Sequence, residues 1–182
     1  MLRFKTSRKI FFNKKVIENP IIKFIILLFV LTLTGCEKTA PVDVPAANKL
    51  TREASGYYCL MTVVYHKGPK GQVILTDGKV NWFTSVRDTI SFTLLPEEPK
   101  NIAAIYVNDM SNAEWDDPGA ENWILAKDAW YVLGSGRSGG MGAAEAVPFS
   151  SKESANKFAS EEGGKVYAFS SIPESYILES EE

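Results

Sequence analysis

Residues able to hold a soft metal or act as nucleophiles are scarce in this 182-residue chain, which has two cysteines, one histidine and four methionines. Two cysteines and one histidine cannot complete a zinc site of four Cys/His ligands. Nor can two cysteines build a framework of several disulfides. No Cys-x-x-Cys pair is present, so a thioredoxin-like reaction has no support. The longest apolar run, Phe24–Leu33, falls short of the ~20 residues a spanning helix needs. The glycine-rich stretch Gly134–Gly142 lacks the Lys-Ser/Thr of a phosphate loop. It also lacks a convincing acidic partner for a dinucleotide fingerprint. The chain is too short for a large barrel enzyme.

What is present is a folding chain, 45% hydrophobic and 12% aromatic, with an uneven distribution of charge. Residues 1–35 hold Arg3, Lys5, Arg8, Lys9, Lys14, Lys15 and Lys23 against a single acid, Glu18. The remainder has 13 basic and 21 acidic residues, a net charge of −8 against −2 for the whole chain. An acidic body argues against nucleic acid as a partner and permits a cationic one. The basic stretch, the apolar core after it and Leu33-Thr34-Gly35-Cys36 follow the order of a secretory signal. The last four residues resemble the lipobox of bacterial lipoproteins, in which the cysteine is acylated. The reading is therefore a signal peptide over 1–35, lipidation at Cys36, and a Pro-containing tether to residue 55. It places the body in the cell envelope, facing the periplasm. Whether the lipid sits in the inner or the outer membrane stays open.

The folded part reads as α+β, two small homologous β-β-α-β units packed into one body. The first unit spans 56–112. It has an expected strand over Tyr57–Tyr65, short strands at Gln72–Thr76 and Val80–Phe83, a helix capped by Ser85 and ended by Pro96, and an apolar strand at Ile102–Val107. The second unit spans 113–182. It has extended segments at Trp123–Ala126, Trp130–Leu133 and Ala146–Phe149, a helix capped at Ser150 and running to about Glu162, and a strand at Lys165–Phe169. Phe83-x-Ser85 with Phe92 recurs as Phe149-x-Ser151 with Phe158 at an offset of 66 residues. With the repeated element order, this implies an internal duplication.

If Cys36 is blocked by lipid, Cys59 has no partner for a disulfide. It stands two residues from Met61. On a strand, positions i and i+2 share a face, so thiolate and thioether would lie side by side, a pairing that selects Cu(I) over hard cations. Ordinary core packing of both is the competing reading. Met141, in Gly139-Gly-Met-Gly142, is a large apolar side chain on a glycine-rich loop with no obvious core role. His66 follows the first strand. Met110 ends the central strand and reads as core.

Together with the lipobox, several segments carry a resemblance: Gly56-Tyr-Tyr-Cys-Leu-Met61, His66-Lys-Gly-Pro-Lys-Gly71, Trp82-Phe-Thr-Ser-Val-Arg-Asp88, Pro96-Glu-Glu-Pro-Lys100, Ile105–Met110, Trp130–Ser135 and Gly139–Phe149. They make the chain similar to the NosL lipoproteins, accessory proteins of nitrous oxide reductase maturation. Leu60 stands where a glycine is common inside that family's Cys-x-Met motif. The resemblance implies a Cu(I)-binding metallochaperone, not an enzyme, that delivers copper for the reductase's copper–sulfide cluster. It places Cys59 and Met61 in the ligand motif, with Met141 and His66 as further candidate ligands. It implies the reductase and its maturation machinery as partners, and a lipid anchor to a membrane; the sparse ligand set would allow a homodimer. Two other readings of the residues stay open: a cysteine-dependent organometal- or thiol-processing enzyme, and a structural lipoprotein with a buried cysteine.

Overall fold

A computed structural model describes residues 44–178. The expected signal peptide, Cys36 and most of the tether lie outside the described residues.

Strand β1 (Gly71–Leu75) turns at Asp77-Gly78 into β2 (Val80–Phe83). The turn works because Gly78 adopts φ +86° and Asp77 Oδ1 accepts the Lys79 amide. Helix α1 (Val86–Leu94) then starts at Ser85, whose side chain accepts the Asp88 amide. Pro96 cannot continue it. Strand β3 (Ile102–Asn108) returns antiparallel to β1, with Gly71 opposite Phe83 on one side and Val107 on the other. Strand β4 (Trp123–Leu125) completes a four-stranded sheet in the order β2-β1-β3-β4.

The second unit runs β5 (Trp130–Leu133), β6 (Val147–Phe149), α2 (Lys152–Glu162) and β7 (Lys165–Ala168), and its sheet order is β6-β5-β7. This is the β2-β1-β3 arrangement again. The repeated residues hold matching places. Ser85 and Ser151 are both N-caps. Phe83 meets Phe92 at 5.4 Å between ring centroids and Phe149 meets Phe158 at 5.1 Å. The fold is α+β, as expected, with a β-β-α-β order in each half. The halves share a core in which Val86 and Ile90 of α1, Val107 of β3, Tyr131 and Leu133 of β5 and Ile177 of α3 (Glu174–Leu178) pack together.

Two local expectations are corrected. The second helix is capped by Ser151, whose side chain accepts the Ser154 amide, and not by Ser150. More consequential is Tyr57–Tyr65, which is not a strand. Ser55 pairs with Thr62, residues 57–60 close a tight loop, and Val63–Tyr65 form a 3-10 turn. The β-branched and aromatic residues that suggested a ladder are used for packing, which is what β propensity largely measures. Tyr57 lies against Phe92 at 5.1 Å and Phe83 at 5.8 Å, and Val63 is wholly buried.

Helix α1 approaches β1 most closely at Gly71, where a methyl group would collide with the Thr89 side chain. Gly71→Ala is therefore expected to destabilise the protein by about 1–3 kcal/mol. The check is a lower urea midpoint at unchanged m value.

Candidate metal centre

The cysteine lies in a loop and not on a strand, so alternation does not orient it. The Gly56 amide donates to the Met61 carbonyl at 2.8 Å, and the Leu60 amide donates to the Gly56 carbonyl at 2.9 Å. The second bond closes one helical turn, and Leu60 ends it in the left-handed region at φ +58°. Cys59 and Met61 therefore flank a backbone reversal. The Cys59 Sγ sits directly over Gly56, where a Cβ would come within 2.5 Å of it. This fixes the need for glycine at position 56. The Tyr57 amide donates to the Trp82 carbonyl, docking the loop on the end of β2.

Thr84, between β2 and α1, is the hub of the site. Its Oγ1 lies 4.0 Å from Cys59 Sγ. Its carbonyl lies on the other side, against Gly140, where an added Cβ would approach to 3.1 Å. That added Cβ would also fall 2.6 Å from His66 Cβ and 3.0 Å from the Lys67 carbonyl. The glycine-rich loop of the second unit thus packs its Gly140 onto His66 and Thr84, with Met141 the next residue along the chain. Cys59 is half-buried, whereas Met61 is 42% and Met141 50% exposed. His66 Nδ1 lies 3.2 Å from the Thr62 carbonyl. A carbonyl only accepts, so Nδ1 is the donor in this contact, and in the matching neutral tautomer Nε2 is the ring atom open to a ligand.

The Met141 turn has a polar footing. The Gly139 amide donates to Ala143 O, and Gly142 donates back to Gly139 O. Beneath Gly139 lies Glu145, fully buried. Its Oε1 accepts from the Arg87 amide (2.9 Å), the Ala146 amide (2.9 Å) and Ser85 Oγ (3.3 Å). Its Oε2 has no partner and presses against Gly139. Burial pushes the Glu145 carboxyl up to about 8, and the Asp88 carboxylate adds to the rise against the pull of the two amides. Glu145 therefore joins the turn that bears Met141 to the first turn of α1, one residue beyond Thr84.

Of the residues expected from the sequence, Cys59 lies near Thr84 and His66 packs on Gly140, while Met61 follows Cys59 by two residues and Met141 lines a pocket with Ser85, Arg87, Asp88 and Ile177. Met110 is core, packed with Val132, Val147 and Phe149. Sequence reasoning missed Thr84 and Gly140 as the contact between the two loops. The doublet Gly139-Gly140 was the available sign, since adjacent glycines mark close approaches of backbone. Among the described residues, no three His, Cys, Asp or Glu side chains converge on one point. A metal held here needs thioether sulfur to fill out its ligands, which favours soft monovalent ions.

The sequence and fold are similar to those of known proteins. The NosL family profile matches residues 46–177. The chain is 41% identical over 160 residues to the copper-binding lipoprotein NosL of Achromobacter cycloclastes, covering 86% of this chain and 83% of that protein. It is 32% identical over 156 residues to the copper-binding lipoprotein NosL of Stutzerimonas stutzeri, covering 84% and 80%. Its fold superposes on the crystal structure of the copper chaperone NosL from Shewanella denitrificans with a TM-score of 0.67 and 35% identity, over 71% of this chain and 96% of that one.

Proposed function

This chain belongs to the NosL family, and from that premise we propose that it is a membrane-tethered carrier of Cu(I) that hands copper on for assembly of the copper–sulfide cluster of nitrous oxide reductase. The observation that supports the reading is that two loops meet at Thr84. Cys59 Sγ lies 4.0 Å from Thr84 Oγ1, and Gly140, the residue before Met141, packs on Thr84 and His66. The Cys59 thiolate supplies the charge that neutralises Cu(I), and thioethers complete the shell without competing for protons. His66 Nε2 is the nitrogen donor available at the same edge. The Cys36 lipid would hold the body at a membrane, and the relatives described as lipoproteins support that anchor.

Carriage and release both follow from exposure. Met61 and Met141 present their thioethers at the surface, so an acceptor's sulfur can replace them one at a time. The copper then passes by ligand exchange and is never free. Protons compete for the thiolate sulfur, so apparent affinity is expected to fall as pH falls.

The test is anaerobic Cu(I) competition titration of the protein and its single variants. Met141→Ala is expected to weaken binding about tenfold. Gly140→Val, which must push the loop off His66 and Thr84, is expected to weaken it similarly. If both variants bind as the parent does, Met141 is not a ligand.

A further inference from the structure

Leu60 carries two unfavourable features at one position. It adopts φ +58°, a region that penalises any residue with a Cβ, and it is 79% exposed. Glycine would relieve the first and remove the second. Neither the loop's hydrogen bonds, in which Leu60 takes part through its backbone amide, nor the core needs this side chain. Its neighbours Tyr58 (43%) and Met61 are also exposed apolar groups, so the tip of the metal loop is an apolar surface projected into solvent.

Two carboxylates lie near this surface. Glu98 is held by the hydroxyls of Tyr57 and Tyr58 through its two carboxylate oxygens, at 2.8 and 3.0 Å. Asp88 also acts on Tyr58 from the first turn of α1. Of the cations close in sequence, Arg87 acts on Asp88 and partly offsets its charge, while both Lys100 and Arg87 also bond to backbone carbonyls. Lys100 donates to the Thr93 and Leu95 carbonyls. Arg87 donates to the Ile177 carbonyl and lies over Tyr176. None of the ion pairs among the described residues involves Glu98 or Asp88.

Building on the carrier reading above, we propose that Leu60 is the anchor of a docking surface, with Tyr58 and Met61 beside it. It takes a protein partner whose facing surface is apolar at its centre and edged by lysine or arginine. Charge decides between occupants. A second copy would set Glu98 and Asp88 against their own equivalents, and an anionic lipid surface would meet the same repulsion. A basic-edged recess would pair with both acids, steer the encounter and cover an exposed leucine next to Cys59. Docking and the approach of an acceptor's sulfur would then be one event.

The test places the full chain in a denitrifying host lacking its own copy, with Tyr58 replaced by the photo-crosslinker benzoylphenylalanine, with and without Leu60→Gly. Leu60→Gly is expected to keep the Cu(I) affinity, to raise the thermal midpoint, and to lower both the crosslinked yield and the reductase's copper content by about fivefold. Peptide mapping is expected to place the crosslink on a partner segment rich in apolar and basic residues. Glu98→Gln is expected to reduce the yield and its salt sensitivity. Crosslinks joining two copies, adducts to lipid alone, or undiminished yield and copper content with Leu60→Gly would each overturn the proposal. Should the unsubstituted chain leave the reductase without copper, the delivery reading fails, while the crosslink still decides the docking surface.

Discussion

Cys59→Ala is expected to lower Cu(I) affinity by about a thousandfold or more, on the order of 4 kcal/mol. The reason is chemical and not merely a count of ligands. Cys59 is the only ionisable sulfur among the described residues; Met61 and Met141 are neutral donors. Removing it leaves Cu(I) with thioethers and one imidazole, and with no charge to offset its own. Met61→Ala removes a neutral donor and is expected to cost far less, about tenfold to a hundredfold. Folding should hardly change, since Cys59 is half-buried and its thiol meets Thr84 Oγ1 at a long 4.0 Å. Competition titration against a Cu(I) chelator of known affinity, with circular dichroism as control, checks both outcomes.

The largest effect on stability is expected at Glu145. Glu145→Ala leaves the Arg87 and Ala146 amides and the Ser85 hydroxyl without their shared acceptor inside the protein. Orphaned buried donors cost about 1–3 kcal/mol each, so a loss of about 3–5 kcal/mol is expected. Glu145→Gln separates packing from ionisation. The folded carboxyl holds its proton up to about 8, against 4.5 for the ordinary group. Between these values the folded state binds more protons than the unfolded one. Stability contributed by this group is therefore complete below 4.5 and lost as pH rises toward 8, with a slope approaching 1.4 kcal/mol per pH unit. Thermal midpoints of the parent protein should fall over that window, and those of Glu145→Gln should stay level. A parent that gains stability across the same window would mean that Glu145 is ionised in the fold.

The repeated β-β-α-β order was readable before any coordinates, because phenylalanines and serines recur at an offset of 66 in matching places. Ser85 caps its helix as expected and Phe83 meets Phe92 as Phe149 meets Phe158, although the cap of the second helix was expected at Ser150 and falls on Ser151, the residue that matches Ser85 in the repeat. These are local constraints, and local constraints show in sequence. The Cys59 loop did not. Tyr57–Tyr65 has strand composition, but the hydrogen bonds from Gly56 and Leu60 close it into a turn. Its aromatics pack against residues some thirty positions away, a partnership no spacing rule expresses. The candidate ligands were legible as residue types, because soft donors are few. The contact between the loops that bear them was not, since it depends on Gly140 of the second unit packing on His66 and Thr84 of the first. Glu145 was visible as a charge but not as a strut, because its burial comes from contacts between the units.

The account rests on sulfur converging from two loops. X-ray absorption at the copper edge of the anaerobically Cu(I)-loaded protein tests this most directly, because it counts neighbours by element. The expected result is a first shell dominated by sulfur, with Cys59→Ala and Met141→Ala each removing one sulfur neighbour. A shell of nitrogen and oxygen alone, unchanged by either substitution, would contradict it.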